Sequence, residues 1–183
     1  MSKKRAARNR TIVLDEQETK MYAQRARKLD GAVDAVNIEN SVIHQDLFDV
    51  FSFFPDSFVD LLFIDPPYNL SKQFNKTRFS RMKVDEYTEW MDSWFKELVR
   101  MLKPNASVYI CSDWLTSQSV FEVASKYLTV RNRITWERDK GRGAKTNWKN
   151  SSEDIWFFTV GDVYKFHVED VKLRRQVLAP YRD

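Results

Sequence analysis

The feature that most constrains the fold is the segment 61–70, in which an apolar run ends abruptly at an acid and two prolines. Residues 61–64 favour a buried strand because no polar residue interrupts them. Pro66 and Pro67 have a fixed φ and no N–H, so they cannot continue a sheet ladder or lie inside a helix. The strand must therefore stop at Asp65. Because ligands bind at the carboxyl ends of strands in open α/β sheets, Asp65 is a candidate functional carboxylate.

The tetrapeptide Asp-Pro-Pro-Tyr at 65–68 resembles the catalytic motif of DNA methyltransferases that modify exocyclic amino groups, the N6 of adenine or the N4 of cytosine. The resemblance implies that the catalytic residues are Asp65, Pro66, Pro67 and Tyr68. Within that family, enzymes with an acid at the first position of the motif mostly methylate adenine, and those with a serine mostly methylate cytosine. Asp65 therefore favours N6-adenine as the target. Without the resemblance, the same residues read as a strand followed by a stiff turn.

Physical chemistry explains why these residue types belong together. An aryl amine is a poor nucleophile because its lone pair is delocalised into the ring. Asp65 and the main-chain carbonyl of Pro66 can each accept one N–H of the amino group, which aims the lone pair at a methyl sulfonium. Tyr68 offers a face on which a base can stack. The target atom cannot be reached inside a duplex, so the base must be flipped out.

Strand and helix signals alternate along the chain and predict an α/β fold, namely a partial Rossmann-like methyltransferase sheet with helices on both faces and an antiparallel hairpin edge. Helices are predicted over 15–28, 47–54, 85–102 and 117–128. Strands are predicted over 42–44, at 61–64, and over 107–111, 130–136 and 154–160, and a hairpin through Gly161 and Asp162 into 163–166. Residues 69–84 lack an apolar period and are predicted to form a mobile basic loop.

The order of these segments resembles the beta class of amino methyltransferases, in which the catalytic half precedes the cofactor half. The resemblance implies three domains: a basic N-terminal arm and helix at 1–34, a catalytic half at 35–167, and a charged tail at 168–183. It also implies S-adenosylmethionine as cofactor, with Asp46, Leu47 and Asp65 as cofactor-binding residues. Asp46 fits a helix N-cap equally well.

Double-stranded DNA is the expected partner, although a formal charge of +4 is weak evidence by itself. Cations crowd the first ten residues, the segment 72–83, and a later loop that begins near Arg138. The residues expected to contact DNA are Asn69, Lys72, Lys76, Arg78, Lys140, Arg142, Lys145, Asn147, Trp148 and Lys149.

Glycine is scarce: the chain has four, where average usage predicts roughly 13. None forms a Gly-x-Gly turn between a strand and a helix, the arrangement that lets backbone approach a nucleotide-like ligand. Enzymes of the resembled class continue into a recognition region and a segment like Asp-Pro-Phe-x-Gly-Ser-Gly, and the chain ends at Asp183 before either. An incomplete S-adenosylmethionine site is therefore expected, with a second polypeptide supplying the glycine-rich motif and target recognition.

The expected function is thus the catalytic subunit or fragment of a site-specific DNA N6-adenine methyltransferase, inactive without its other half, of the type found in restriction–modification systems. Three alternatives stay open: a non-catalytic DNA-binding or assembly module, an N4-cytosine methyltransferase, and a fragment of a longer enzyme. The lone Cys111 and the lack of a long apolar run or signal peptide favour the bacterial cytoplasm, with association to the nucleoid through DNA. No Cys/His cluster favours a metal site.

Overall fold

The computed structural model describes residues 12–74, 77–142, 146, 148 and 150–171. The chain divides into two compact units, Met1–Pro55 and Asp56–Asp183. No helix among the described residues has the length and apolar character needed to cross a membrane.

The first unit contains short helices joined by irregular segments. They are α1 (Glu16–Arg25), α2 (Ala35–Ile38), α3 (Leu47–Val50) and a single 3-10 turn (Phe51–Phe53). Helix α1 begins where Asp15 and Glu18 cap each other, since each side chain accepts a hydrogen bond from the other residue's backbone N–H. The strand predicted over 42–44 is wrong: only an isolated parallel bridge joins Ile43 to Arg27.

The second unit is an α/β domain, which confirms the predicted fold class. Its strands are β1 (Val59–Ile64), β2 (Lys72–Phe74), β3 (Thr77–Phe79), β4 (Leu102–Ser112), β5 (Thr129–Arg142) and β6 (Asn150–Thr159). Its helices are α4 (Val84–Arg100), α5 (Ser117–Ala124) and α6 (Val168–Val171). Four strands form the main sheet in the order β1-β4-β6-β5, and β2 pairs with β3 in a separate two-stranded sheet.

The main sheet is mixed. Strands β1 and β4 are parallel, whereas β6 runs antiparallel to both of its neighbours, β4 and β5. The carboxyl ends of β1 and β4 therefore lie at the same edge as the amino end of β6. The register fixes this edge, since Ile64 lies opposite Ile110 and Ser112 lies opposite Asp154.

Helix α4 forms because its apolar residues recur at intervals of three and four, which places them on one face. That face is buried, and it comprises Tyr87, Thr88, Met91, Trp94, Phe95 and Leu98. Helix α4 contacts α5, and α5 in turn contacts β4 and β6. The predicted aromatic stripe is thus part of the hydrophobic core, as expected.

Two neighbouring residues of β6 make contacts on opposite faces of the main sheet. Trp156 contacts Phe121 of α5, with ring centroids 5.1 Å apart, and its Nε1 donates to Ser117 at 2.8 Å. Phe157 points to the opposite face, where its ring contacts Phe166, in the segment that leads into α6. Helix α5 and the segment that leads into α6 thus lie on opposite faces of the sheet.

Two predictions about the strands are corrected. The antiparallel hairpin edge is formed by β5 and β6, not by residues 163–166, which belong to no strand although Gly161 lies at a bend. The segment 69–84 is not without structure, because it contains the β2–β3 hairpin. These strands are three residues long, too short for an apolar period to identify them.

The end of α4 also differs from expectation. The helix ends at Arg100 and β4 begins at Leu102, so Pro104 lies inside a strand. Pro104 is accommodated because the ladder to β1 is irregular there: Val59 pairs with Leu102, whereas Leu61 pairs with Ser107. A proline in a sheet is tolerated at such a bulge, where its missing N–H interrupts no regular ladder.

Candidate active site

The Asp-Pro-Pro-Tyr segment lies directly after β1, at the sheet edge predicted from the sequence. Asp65 is exposed, Pro66 is buried and Tyr68 is half-buried. All four residues of the segment line one cleft of about 540 Å³. The predicted catalytic set is therefore brought together on one surface.

Two further charged residues line the same cleft. Glu153 belongs to β6 and Arg138 to β5, and the two side chains form an ion pair. They reach this edge because β6 runs antiparallel to β4, and because Glu153 pairs with Trp136, two residues before Arg138. Leu70 completes the lining. Arg138 was expected only as one cation of a basic loop, and Glu153 was not predicted as a site residue.

The environment of the cleft raises the pKa values of two nearby side chains, Tyr68 and Cys111. Burial raises the pKa of the Tyr68 phenol well above its usual value, and the negative charges of Asp65 and Glu153 and a hydrogen bond with Asp65 raise it further. Burial, followed by the same two carboxylates, raises the pKa of the Cys111 thiol. Tyr68 and Cys111 are therefore neutral near pH 7, and the ionic groups that line the cleft are Asp65, Glu153 and Arg138.

The loop after β1 is held by hydrogen bonds from α4 and from the start of α5. The Tyr87 hydroxyl donates to the Pro67 carbonyl at 2.8 Å. The Asn69 backbone N–H donates to Thr116 Oγ1 at 3.0 Å, and Thr116 N–H in turn donates to Asp113 at 2.7 Å. Tyr87 was predicted only as part of the apolar stripe of α4, since nothing local in the sequence indicates the partner of its hydroxyl.

Asn69 was predicted to contact DNA, but its side chain is engaged within the protein. Its Oδ1 accepts from the Met82 N–H at 2.8 Å and its Nδ2 donates to the Met82 carbonyl at 3.0 Å. Only 7% of Asn69 is exposed. These contacts support a structural role in which Asn69 ties the catalytic loop to the residues just before α4, and a contact with DNA stays a prediction.

The predicted cofactor residues lie in different units. Asp46 and Leu47 belong to the first unit, where the Asp46 carboxylate accepts from the Phe48 N–H at 3.0 Å and so caps α3. This is the N-cap role that the sequence also allowed. Binding of S-adenosylmethionine by Asp46, Leu47 and Asp65 stays a prediction.

Five of the remaining predicted DNA contacts lie within the described residues, four of them on strands. Lys72 and Arg78 belong to β2 and β3, and Lys140 and Arg142 to the end of β5. Trp148 is 97% exposed. Lys76, Lys145, Asn147 and Lys149 lie outside the described residues. Among the residues that are described, no group of three or more His, Cys, Asp or Glu is placed to hold a metal ion.

Solved structures with a similar fold are DNA methyltransferases. The PvuII DNA methyltransferase (cytosine-N4-specific) superposes with a TM-score of 0.57 at 18% identity, over 72% of this chain and 52% of the other. TTHA0409 from Thermus thermophilus, a putative DNA modification methylase complexed with S-adenosylmethionine, gives a TM-score of 0.50 at 17% identity, over 70% of this chain and 58% of the other. At these identities the likeness concerns the fold alone.

Sequence comparison extends the likeness from fold to family. The profile of the N6/N4 methyltransferase family, described as DNA methylase, matches residues 59–179. This match covers well over half of the 183 residues, so the chain belongs to the N6/N4 DNA methylase family.

Individual relatives agree with the family match. The type II methyltransferase M.BamHI of Bacillus amyloliquefaciens is 30% identical over 132 residues, which are 70% of this chain and 31% of the relative. The DNA adenine methyltransferase YhdJ of Escherichia coli is 31% identical over 120 residues, which are 65% of this chain and 40% of the relative. The chain thus spans between 31% and 40% of the length of these two curated relatives.

The structural role of Asn69 can be tested without DNA. Asn69→Ala is expected to lower the free energy of unfolding by about 1–3 kcal/mol, because both backbone groups of Met82 lose their partner. Asn69→Asp is the matched control: it keeps the acceptor for the Met82 N–H, so a smaller loss is expected. Urea unfolding followed by circular dichroism measures both. If Asn69→Ala is as stable as the unsubstituted protein, the structural role of Asn69 is contradicted and the predicted contact with DNA remains.

Proposed function

We propose that this chain is the catalytic part of a site-specific DNA N6-adenine methyltransferase. The observation that carries the proposal is the cleft at the carboxyl end of β1, which Asp65, Pro66, Pro67 and Tyr68 line together. Membership of the N6/N4 DNA methylase family supports the reaction class. Residues 35–167 form the catalytic half in this proposal, and double-stranded DNA in the bacterial cytoplasm is the substrate.

Asp65 and Pro66 activate the amine. When bound, S-adenosylmethionine supplies a methyl group on a positively charged sulfur. The Asp65 carboxylate and the Pro66 carbonyl each accept one N–H of the adenine amino group, which withdraws the lone pair from the ring and makes nitrogen nucleophilic. The nitrogen gains positive charge as its bond to carbon forms, and the Asp65 carboxylate stabilises that charge. As this bond forms, the bond between the methyl carbon and sulfur would break and leave a neutral thioether. The nitrogen then releases one proton to solvent and becomes a neutral secondary amine.

Tyr68 holds the flipped base. Tyr68 lines the cleft and is half-buried, and its ring offers a face that can stack on an adenine that has left the duplex. Its hydroxyl is neutral near pH 7 and hydrogen-bonds to Asp65, which orients the carboxylate. Tyr68 therefore has two roles: the ring binds the base, and the hydroxyl positions the acid.

Adenine is favoured over cytosine by the acid at position 65, because the resembled family pairs an acid there with adenine. The relative YhdJ, named a DNA adenine methyltransferase, supports the same choice. The N4-cytosine alternative stays open, because the matching family includes both N6 and N4 methylases. The methylated nucleoside, identified by mass spectrometry after digestion of the DNA, separates the two.

The residues of the cleft fit the methyl acceptor better than the methyl donor. Acidic acceptors and an aromatic ring suit an amino base, whereas the glycine-rich turn that cradles the methionine part of the cofactor has no counterpart among the four glycines of the sequence. We infer that a second polypeptide supplies that turn and the target-recognition region. Asp46, Leu47 and Asp65 would hold the rest of the cofactor.

The first test measures methyl transfer from radiolabelled S-adenosylmethionine to DNA. Transfer is expected when the chain is mixed with a polypeptide that carries the glycine-rich motif, because each contributes part of the site. Little or none is expected from the chain alone. Full activity of the chain alone contradicts the two-chain proposal, and N4-methylcytosine as product contradicts the choice of adenine.

Within that active mixture, Asp65→Ala is expected to reduce kcat by about 10²–10³-fold, since one preorganised group at the reacting centre is lost. Glu153→Gln is the control within the same cleft and should have a smaller effect. If Glu153→Gln lowers kcat more than Asp65→Ala does, Glu153 and not Asp65 is the main catalytic carboxylate. If DNA binding is the only activity and Asp65→Ala leaves it unchanged, the chain is a non-catalytic DNA-binding module instead.

The two roles of Tyr68 predict different results for two substitutions. Tyr68→Ala removes the stacking surface and is expected to lower kcat/KM by about 10–100-fold, on the basis of about 1–3 kcal/mol for one base–aromatic stack. Tyr68→Phe keeps the ring and loses only the hydrogen bond to Asp65, so it should retain more activity than Tyr68→Ala. Steady-state kinetics on the assembled enzyme measures both. Equal losses would contradict the stacking role.

The cations at the end of β5 and in the sequence that follows it are proposed to contact DNA phosphates. Replacing Lys140, Arg142 and Lys145 with Ala should weaken binding and reduce the slope of log K against log salt by about 0.9 for each phosphate that these side chains no longer neutralise. A matched control replaces three other lysines, Lys20, Lys96 and Lys126, and so changes the net charge equally. Binding measured by fluorescence anisotropy at several salt concentrations distinguishes them. Identical slopes in both triple variants would exclude a local contact.

A further inference from the structure

We propose that Tyr87 is a positioning residue for methyl transfer: its hydroxyl holds the Pro67 carbonyl and thereby sets the direction of the Tyr68 ring. The catalytic consequence rests on the proposed function. The geometry of the loop is independent of the proposed function and can be tested separately.

The hydrogen bond acts on the ψ rotation of Pro67, which the proline ring leaves free. The ring of Pro67 fixes its φ, so the orientation of the next peptide plane depends on the ψ of Pro67. That plane contains both the Pro67 carbonyl and the Tyr68 N–H. Because Tyr87 donates to this carbonyl at 2.8 Å, it restrains ψ and the start of Tyr68 together.

A second hydrogen bond holds the peptide on the other side of Tyr68. The Asn69 N–H donates to Thr116 Oγ1 at 3.0 Å, and Thr116 is 1% exposed. Both peptide planes that flank Tyr68 are therefore anchored to helices of the core, one by α4 and one by the N-cap of α5. A ring restrained in this way is preorganised for a base before the base arrives.

Tyr87 itself is firmly placed. None of its surface is exposed, and its ring contacts Trp90 and Phe79, with centroids 5.2 and 6.4 Å away. Burial, together with the negative charge of Asp113, raises the pKa of its phenol far above neutral pH. Its hydroxyl therefore keeps the proton that it donates to Pro67.

A purely structural role for Tyr87 predicts a different outcome. A core tyrosine whose hydroxyl merely satisfies a backbone carbonyl would cost stability when it is replaced, with no effect on turnover by folded enzyme. A positioning role predicts a lower kcat with an unchanged KM for DNA, because most DNA contacts lie elsewhere and only the orientation of the bound base is disturbed.

The test compares Tyr87→Phe with Tyr127→Phe in the assembled enzyme. Both remove one tyrosine hydroxyl and keep the ring; Tyr127 donates to Asp92 at 2.9 Å and is partly exposed at the surface. We expect Tyr87→Phe to lower kcat roughly tenfold, in line with one lost hydrogen bond, and KM to change by less than about twofold. Tyr127→Phe should match the unsubstituted enzyme. Unchanged kcat in Tyr87→Phe, or a loss explained by unfolding alone, overturns the proposal.

Nuclear magnetic resonance of the unassembled chain gives a readout that needs no activity. With labelled proline, the Pro67 carbonyl resonance and the amide resonances of Tyr68 and Asn69 should move in Tyr87→Phe and stay in place in Tyr127→Phe. Unmoved resonances in Tyr87→Phe overturn the positioning role, even if the enzyme is active. If the assembled enzyme transfers no methyl group, the proposed function fails while these resonances still test the geometry.

Thr116→Val provides a second variant in case Tyr87→Phe folds poorly. It removes the acceptor for the Asn69 N–H with little change in volume, and so releases the other peptide beside Tyr68. The same loss in kcat at constant KM is expected. Normal turnover in this variant would contradict the claim that the two anchored peptides preset the ring.

Discussion

The site depends on a covalent constraint: two consecutive prolines cannot donate to a sheet and cannot rotate about φ. Strand β1 therefore ends at Ile64, although its neighbour β4 continues to Ser112. The chain must leave the sheet at Asp65 in a fixed direction. An exposed carboxylate is followed directly by the two prolines at this point, and hydrogen bonds from Tyr87 and Thr116 hold the loop that continues from them.

The mixed pairing of the main sheet supplies the other side of the cleft. A parallel neighbour brings the carboxyl end of β4 to this edge, whereas an antiparallel neighbour brings the amino end of β6. Glu153 and Arg138 thus come close to Asp65 from distant parts of the sequence. An all-parallel sheet would place the amino end of β6 at the opposite edge, and the cleft would lose Glu153, its second carboxylate, together with the ion pair to Arg138.

Helices and strands with a clear local pattern of apolar residues were predicted correctly from the sequence. The three-and-four spacing identified α4, and the apolar run before Asp65 identified β1 and the catalytic edge. Pairing between distant segments was not predictable, so the hairpin edge was assigned to the wrong strands and Glu153 was missed. The role of Asn69 was also hidden, because its amide pairs with the backbone of Met82, and a backbone partner leaves no mark on the sequence.

Electrostatics connects this geometry to the proposed chemistry. Methyl transfer to a neutral amine moves one positive charge from sulfur to nitrogen, so the acceptor side must tolerate a cation that was absent before. Asp65 and Glu153 provide negative charge on that side, and Arg138 offsets part of it through its ion pair with Glu153. The neutral Tyr68 then donates to Asp65 without adding a third negative charge.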